Sequence, residues 1–588
     1  ITGGLVEHNR YILEKLLEST SAENRKTHKP DTVRFIDFAN PENNDFLAIS
    51  QFKVNIPGTE KHIIPDIVLF INGLPIAVVE CKSAYLPDPM GEAIEQLLRY
   101  QNRRGDDKEG NTKLFWFNQL LIATSRQICR YTSITGEFEH FIEWKDPYPH
   151  SLNDIDTEGS DSVNSQHVLI QGMLSQKAIL DIIQSFIIFQ EGAKGRLIKI
   201  LPRYQQYRTV CKIIERLKSG KSPQEKGGIV WHTQGSGKSL TMMMTVRRMY
   251  RESELSGYKT VFVTDRTDLE KQLKGTAKSI GYTVNIAHRI DSLKELLRTN
   301  TPDLIMGMIH KFQEHELMQE FPVLNTSEKI LVMIDEAHRS QYKYLGANLN
   351  KSLPNCVKIA FTGTPIDKTE ETFGDYIDKY SIKQAVDDGV TVEIIYEGRT
   401  HSADISDREA MNKRFEEVFN AVDDDTRQQI LGRYTWRAYL EAEETIRDKA
   451  EDMLKHYLAH IFPNRFKAQV VAVSRVAAIR YKKAFDELLN KQERLDKYIE
   501  QLKDETQIRI DRELLKKMTA EVIISGSLND EPEMREYTDE NKHEKVIESF
   551  KLPFGKTGDS GISGDVGIII VQSMLLTGFD APLEQVMY

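Results

Sequence analysis

The stretch "IVWHTQGSGKSLTMMM", Ile229 to Met244, passes from an apolar run through a glycine-rich loop into the start of a helix. Strand, loop and helix in that order are the context a phosphate-binding loop requires. Gly235 and Gly237 allow backbone N–H groups to converge on phosphate oxygens, and the helix N-terminus behind them favours an anion. Lys238 can reach the outer phosphates of ATP and Ser239 can ligate Mg²⁺. The general pattern G-x-x-x-x-G-K-[ST] has glycine where this chain has His232, but the core from Thr233 through Ser236 to Ser239 is intact. The competing reading is a glycine-rich turn with a surface lysine, and the flanking sequence decides between them.

Outward from this loop, the apolar runs "GGIVWHT", "KTVFVTD", "DLIMGMI", "ILVMIDE" and "VKIAFTG" alternate with helical stretches between residues 174 and 390. Short buried runs separated by helices predict an α/β lobe built on a parallel sheet. "ILVMIDEAH" ends one strand with Asp335 and Glu336, at the carboxyl edge where ligands sit in parallel sheets. There Asp335 can hold Mg²⁺ and Glu336 can polarise an attacking water. His338 is expected to link this site to "FTGTP", which carries Thr362, Gly363 and Thr364. Residues 391–460 read as a helical connecting segment. Strand rhythm returns in 461–588 with "KAQVVAVSR", "AEVIISG" and "VGIIIVQ", a second lobe interrupted near 482–519 by a charged segment that reads as a helical hairpin. Upstream, residues 1–150 form another strand-and-helix block, and the polar run "KDPYPHSLNDIDTEGSDSVNSQ" predicts a linker over 151–173.

The chain has 588 residues, 40% of them hydrophobic and 28% charged, which allows several independent cores. No apolar run approaches the ~20 residues of a membrane span, so no membrane association is expected. Four scattered cysteines fit a reducing cytoplasm and exclude a cysteine-type zinc ribbon. A net charge of −10 argues against nonspecific coating of nucleic acid, although the run Arg196 to Lys221 is locally basic and reads as a solvated helix face. The opening at Ile1 shows no secretory leader, and its start is expected to be trimmed.

Together these motifs resemble a superfamily 2 helicase or DNA translocase, a family that often relaxes the first glycine of the phosphate loop. The resemblance implies two RecA-like motor lobes and extends to further segments. "RYQQYRTV" is similar to the adenine-reading motif, with Gln206 the expected reader and Gln205 its substitute. "FVTDRTDLEKQL" is similar to a DNA-tracking segment, with Arg266 a phosphate contact. "VVAVSRVAAIRY" resembles the opening of the second lobe, with Ser474 and Arg475 at the strand end, and "LLTGFDAP" resembles its late motif, with Thr577, Gly578 and Asp580. The family's next element is an arginine-bearing helix. The chain stops at Tyr588 before it, so the natural protein is expected to continue, and this chain to bind ATP but turn it over poorly.

A motor does not explain "PDIVLFINGLPIAVVECKS", Pro65 to Ser83, which places Asp66, Glu80 and Lys82 in an otherwise apolar hairpin. Glu80 and Lys82 share one face of their strand. A plain two-residue turn at Asn72-Gly73 would set Asp66 against Val79, on the wrong face; a longer loop or one bulge brings Asp66 to Glu80, and that register is expected. Two adjacent carboxylates repel unless a cation such as Mg²⁺ sits between them, where it can act on a phosphodiester. In an arbitrary protein D…E-x-K is a surface ion pair more often than a site. Here its apolar strands and the following motor reverse the weights, and the pattern resembles the PD-(D/E)xK nucleases.

The next helix carries Gln96 and Tyr100, i and i+4 on one face. This is similar to the Q-x-x-x-Y element of type I restriction enzyme motor subunits, and packing against the sheet is the equal alternative. Glu7 is a candidate further acid. The resemblance implies an endonuclease domain in 1–150, duplex DNA as substrate, and methyltransferase and specificity subunits as partners. The rival expectations are another nuclease–helicase system, or an ATP-gated DNA-binding switch that does not cut.

Overall fold

In the computed structural model the described residues are 3–105, 108–157, 162–192, 195–264, 284–287, 289–308, 321–335, 347–363, 373–398, 439–506, 510–526, 530, 532–558, 560–576, 579 and 581–588. They belong to two compact units, Ile1–Glu397 and Gly398–Tyr588.

The first unit begins with helix α1 (Leu5–Leu17) and a six-stranded sheet. Its strands are β1 (Phe46–Ser50), β2 (Ile67–Ile71), β3 (Leu74–Cys81), β4 (Leu120–Ser125), β5 (Ile128–Thr132) and β6 (Ile142–Glu143), in the order β6-β5-β4-β3-β2-β1. Asn72 and Gly73 turn β2 into β3 with φ of 51° and 79°, the twist-matched hairpin turn that Asn-Gly favours. Helix α2 (Pro89–Tyr100) starts where the Asp88 side chain accepts from Gly91 N–H, and it buries Ala93, Ile94, Leu97 and Tyr100. Those residues lie against Val68, Val78, Leu121 and Ala123 of the sheet, so one helix face and one sheet face form a local core.

Beyond the sheet lie α3 (Ser165–Gly172) and the hairpin of β7 (Ile188–Glu191) and β8 (Leu197–Ile200). Then come α4 (Tyr204–Ser219), β9 (Gly228–His232), α5 (Lys238–Arg251), β10 (Lys259–Thr264), β11 (Val284–Ala287), β12 (Leu304–Met308), β13 (Ile330–Asp335), β14 (Val357–Thr362) and β15 (Tyr376–Tyr380). The last seven strands form a parallel sheet ordered β11-β12-β10-β13-β14-β9-β15, the α/β lobe expected from the sequence.

The expected linker over 151–173 is not an open one. Asn164 caps α3, and Val168, Leu169 and Met173 are buried in a core that runs from Leu13, Ile76 and Tyr131 to Val230, Met243 and Phe361. Polarity at the start of that stretch hid an amphipathic end. The basic run from Arg196 is solvated only in part: Arg196, Lys218 and Lys221 are exposed, whereas Lys199 and Arg208 are buried. Lys199 is 2% exposed, and its Nζ donates to Asn9 Oδ1 (2.8 Å), Asn118 O (3.0 Å) and Gln119 Oε1 (2.6 Å), tying α1 and the approach to β4 to the β7–β8 hairpin. Burial holds its ammonium well below the usual lysine range.

In the second unit, α6 (Glu443–His456), β16 (Lys467–Val471), α7 (Arg475–Asn490), α8 (Gln492–Thr506), β17 (Thr519–Ile523), β18 (Val566–Val571) and β19 (Glu584–Met587) surround a parallel sheet ordered β17-β18-β16-β19. Ile446 and Leu454 of α6 belong to this core, so it begins before residue 461. The charged 482–519 segment is the end of α7, then α8 and a short helix Arg512–Lys517; Phe485, Leu488, Ile499 and Leu502 turn an apolar side inward. Among the described residues no helix is long and apolar enough to cross a membrane, and all four cysteines are free thiols.

Candidate active sites: a carboxylate pair and a phosphate loop

The β2–β3 hairpin keeps its two-residue turn and adds a bulge. Ile71 pairs with Leu74, but a register shift between Leu69 and Phe70 makes Ile67 the partner of Val79. Asp66 therefore falls across from Glu80, as expected of a bulged hairpin. The Cys81 N–H donates to Asp66 Oδ2 (2.8 Å) and the Gln51 amide to Oδ1 (3.0 Å).

Glu80 is completely buried. Its Oε1 accepts from Lys82 Nζ (2.7 Å), while Oε2 has no partner among the described residues. Burial drives its pKa up, Lys82 pulls it back, and the Asp66 carboxylate beside it adds to the rise; the outcome is about 7 against an ordinary 4.5. Lys82 Nζ also donates to Gln96 Oε1 (2.8 Å), Gln96 Nε2 to Tyr100 Oη (2.5 Å), and Tyr100 Oη to Ile64 O (3.1 Å). Gln96 and Tyr100 thus form a strut from the ammonium back to the chain just before Asp66. Burial, then the Glu80 charge, pushes the Tyr100 phenol up to about 12, so it keeps the proton it donates. Two repelling carboxylates and one orphaned buried oxygen fit a hard divalent cation.

Glu7 does not join them. It lies on α1 against Gly3 and Gly4, and no group of three or more His, Cys, Asp or Glu side chains able to hold a metal gathers among the described residues.

At the carboxyl edge of the parallel sheet, Gly235 and Gly237 have φ of 82° and 83°, a left-handed backbone that glycine adopts without strain. Trp231 pairs with Thr362 and Asp335 with Phe361, so the phosphate loop and the ends of β13 and β14 share one row. Asp335 and Thr362 are buried there. Lys238 is buried and its Nζ donates to His232 O (3.3 Å); Ser236 Oγ donates to Thr233 O (2.7 Å). Ser239, half-buried, is the second residue of α5. Gly363 lies so close that a side-chain carbon placed on it would sit 3.4 Å from Lys238 Nζ.

Gln206 accepts from Arg203 N–H through Oε1 (2.9 Å) and donates from Nε2 to Gly237 O (3.2 Å), so its amide braces the loop. Gln205 beside it is 1% exposed with both amide atoms unpartnered among the described residues.

His232 has a reason for standing where the general pattern has glycine. It is the last residue of β9, buried, with Nε2 3.0 Å from Asp378 Oδ2. Asp378 also accepts from Arg208 Nε (2.9 Å), Arg208 Nη2 (2.8 Å) and Lys212 Nζ (2.8 Å), and Arg208 reaches on to Asp146 (2.5 Å). Burial pushes the Asp378 carboxyl up, but His232 and Arg208 outweigh it and hold it far below the usual range. Burial keeps His232 below its ordinary pKa, against the pull of the Asp378 carboxylate. Sequence reasoning missed this network because Asp378, the residue that ties His232 to Arg208, arrives from a distant strand and lies in no motif.

In the second unit Ser474 caps α7 by accepting from Ala477 N–H (3.1 Å), and Arg475 pairs with Asp530 (2.7 Å) and Ser525 O (3.0 Å). Arg266, Glu336, His338, Thr364, Thr577, Gly578 and Asp580 lie outside the described residues.

The sequence divides between two known families along the same line as these sites. Residues 2–140 match the profile of the type I restriction enzyme R protein N terminus, and residues 205–428 that of the SWI2/SNF2 ATPase. The HindI endonuclease subunit of a type I restriction enzyme from Haemophilus influenzae is 30% identical, over 100% of this chain and 54% of that protein. A Methanocaldococcus jannaschii protein assigned as the MjaIXP endonuclease subunit is 29% identical over 98% of this chain and 54% of its own length. The chain thus spans about half the length of the curated relatives it matches. A solved fragment assigned as an HsdR subunit from Vibrio vulnificus YJ016 aligns over 91% of this chain and 80% of its own, with 16% identity and a TM-score of 0.37. An R-protein N-terminal profile is followed by an SWI2/SNF2 ATPase profile, and the chain is similar along its whole length to endonuclease subunits of type I restriction enzymes.

Proposed function

We propose that this chain belongs to an ATP-driven DNA translocase that cuts unmodified duplex DNA, working in the cytoplasm with methyltransferase and specificity subunits. The observation that carries the cutting role is the carboxylate pair of Asp66 and fully buried Glu80, with one Glu80 oxygen left without a partner. Asp66 and Glu80 would hold Mg²⁺, which when bound supplies a Lewis acid for the phosphodiester. Lys82, fixed between Glu80 and Gln96, then stands ready to stabilise charge on the phosphate or orient a water.

In the motor, Lys238, now bonded to the His232 carbonyl, would reach the outer phosphates of ATP, and Ser239 and Asp335 would hold its Mg²⁺. Glu336 serves as the water-polarising acid and His338 as the coupling residue. Arg266, Thr362, Gly363, Thr364, Ser474, Arg475, Thr577, Gly578 and Asp580 are assigned to DNA contact and coupling.

The test is cleavage of a circular target by the complete complex with ATP and Mg²⁺, comparing wild type with Asp66→Ala. Lost cutting with ATPase retained is expected; unchanged cutting removes the carboxylate pair from the reaction.

A further inference from the structure

We infer that Gln51 is a positioning residue for Asp66, fixing the carboxylate at the angle a divalent cation needs. The inference rests on the cutting role proposed for the Asp66–Glu80 pair. Three cross-strand partners stand in one file. Ser50 pairs with Ile67, which puts Gln51 across from Asp66, and Asp66 in turn stands across from Glu80.

Gln51 grips Asp66 twice, its N–H donating to the Asp66 carbonyl (2.9 Å) and its side-chain amide to Oδ1 (3.0 Å). With the Cys81 N–H on Oδ2, each carboxylate oxygen has one protein donor and keeps a lone pair for a metal. Rotation of the carboxylate would break one of these bonds.

The backbone shows that this position is not filled for ease of folding. Gln51 has φ of 53°, left-handed and unfavourable for a residue with a long side chain. Glycine or asparagine would sit there with less strain. Strain retained beside a charged cluster accords with a function for the side chain. Gln51 is also exposed, so its amide hydrogen bond contributes little to stability by burial. Outer hydrogen-bond partners of metal-binding groups typically change metal affinity by about 10- to 100-fold when removed.

The experiment titrates Mn²⁺, as a paramagnetic substitute for Mg²⁺, into the full chain without nucleotide and counts bound ions by electron paramagnetic resonance. Asp66→Ala is the blank. Gln51→Asn keeps an amide, tolerates a left-handed backbone and is one methylene too short; Gln51→Ala removes the amide. About tenfold weaker Mn²⁺ binding is expected in both Gln51 variants at the site that Asp66→Ala abolishes, with an unchanged circular dichroism spectrum. Wild-type affinity in Gln51→Asn overturns the inference alone. If Asp66→Ala loses no bound ion, the carboxylate pair is no metal site, and both the cutting role and this inference fall.

Discussion

The two sites of the first unit solve opposite problems. In the carboxylate centre an acid is buried against a second acid, and one oxygen is left unsatisfied. At the phosphate loop three polar side chains already have partners: Lys238 on the His232 carbonyl, Gln206 of α4 on Gly237, Ser236 on Thr233. A cation at the first site relieves a cost the protein already carries, whereas a nucleotide at the second must exchange contacts the protein already makes. One site is held ready by repulsion and the other by self-attachment.

The sharpest way to break this contrast is to spoil the scaffold behind the loop. Arg208→Met leaves buried Asp378 without its two-bond partner and with Lys212 as its remaining cation, and urea unfolding of the full chain should show a loss of about 3–5 kcal/mol. A smaller loss means that Lys212 and His232 carry the site without Arg208.

The next effect comes from Glu80. Its folded pKa of about 7 lies above the ordinary 4.5, so its contribution to stability is complete below pH 4.5 and is lost as pH rises through about 7. Without divalent ions, Glu80→Gln should therefore gain on wild type across that window, by about 3 kcal/mol at its upper end. Adding Mg²⁺ should shrink the gain, because only the wild type has a pair for it to neutralise. Thermal melts from pH 4 to 8, with and without Mg²⁺, read both; a flat difference would show that the pair is not strained.

The smallest effect belongs to Gln206. Gln206→Ala removes a brace of roughly 1 kcal/mol from the loop and should weaken ATP binding about fivefold in a calorimetric titration. An unchanged affinity would mean that the loop is equally well formed without it.

Sequence was informative wherever function demands a fixed local order. The phosphate loop and the alternating apolar runs of the parallel sheets were legible because each follows from neighbours along the chain, and the bulged register was expected because the two carboxylates meet only in it. What stayed hidden depends on distant partners. Gln51 reveals itself only once β1 is laid beside β2, and His232 only when Asp378 arrives from β15 and Arg208 from α4. The polar start of 151–173 concealed Val168 and Leu169, whose burial is set by the surfaces they meet rather than by composition. Ser474 and Arg475 have local structural partners in a cap and an ion pair that no motif indicates.

Because the sheet of β1–β6 and the sheet of β9–β15 draw on one uninterrupted interior, residues 1–397 should melt as a single cooperative block. Severing the chain near residue 150 would bare Tyr131 and Trp144 on one fragment and Tyr207 on the other, rings now in contact. Neither half is then a detachable module: replacing residues 1–150 would require refitting the surface around Tyr207 that packs on them.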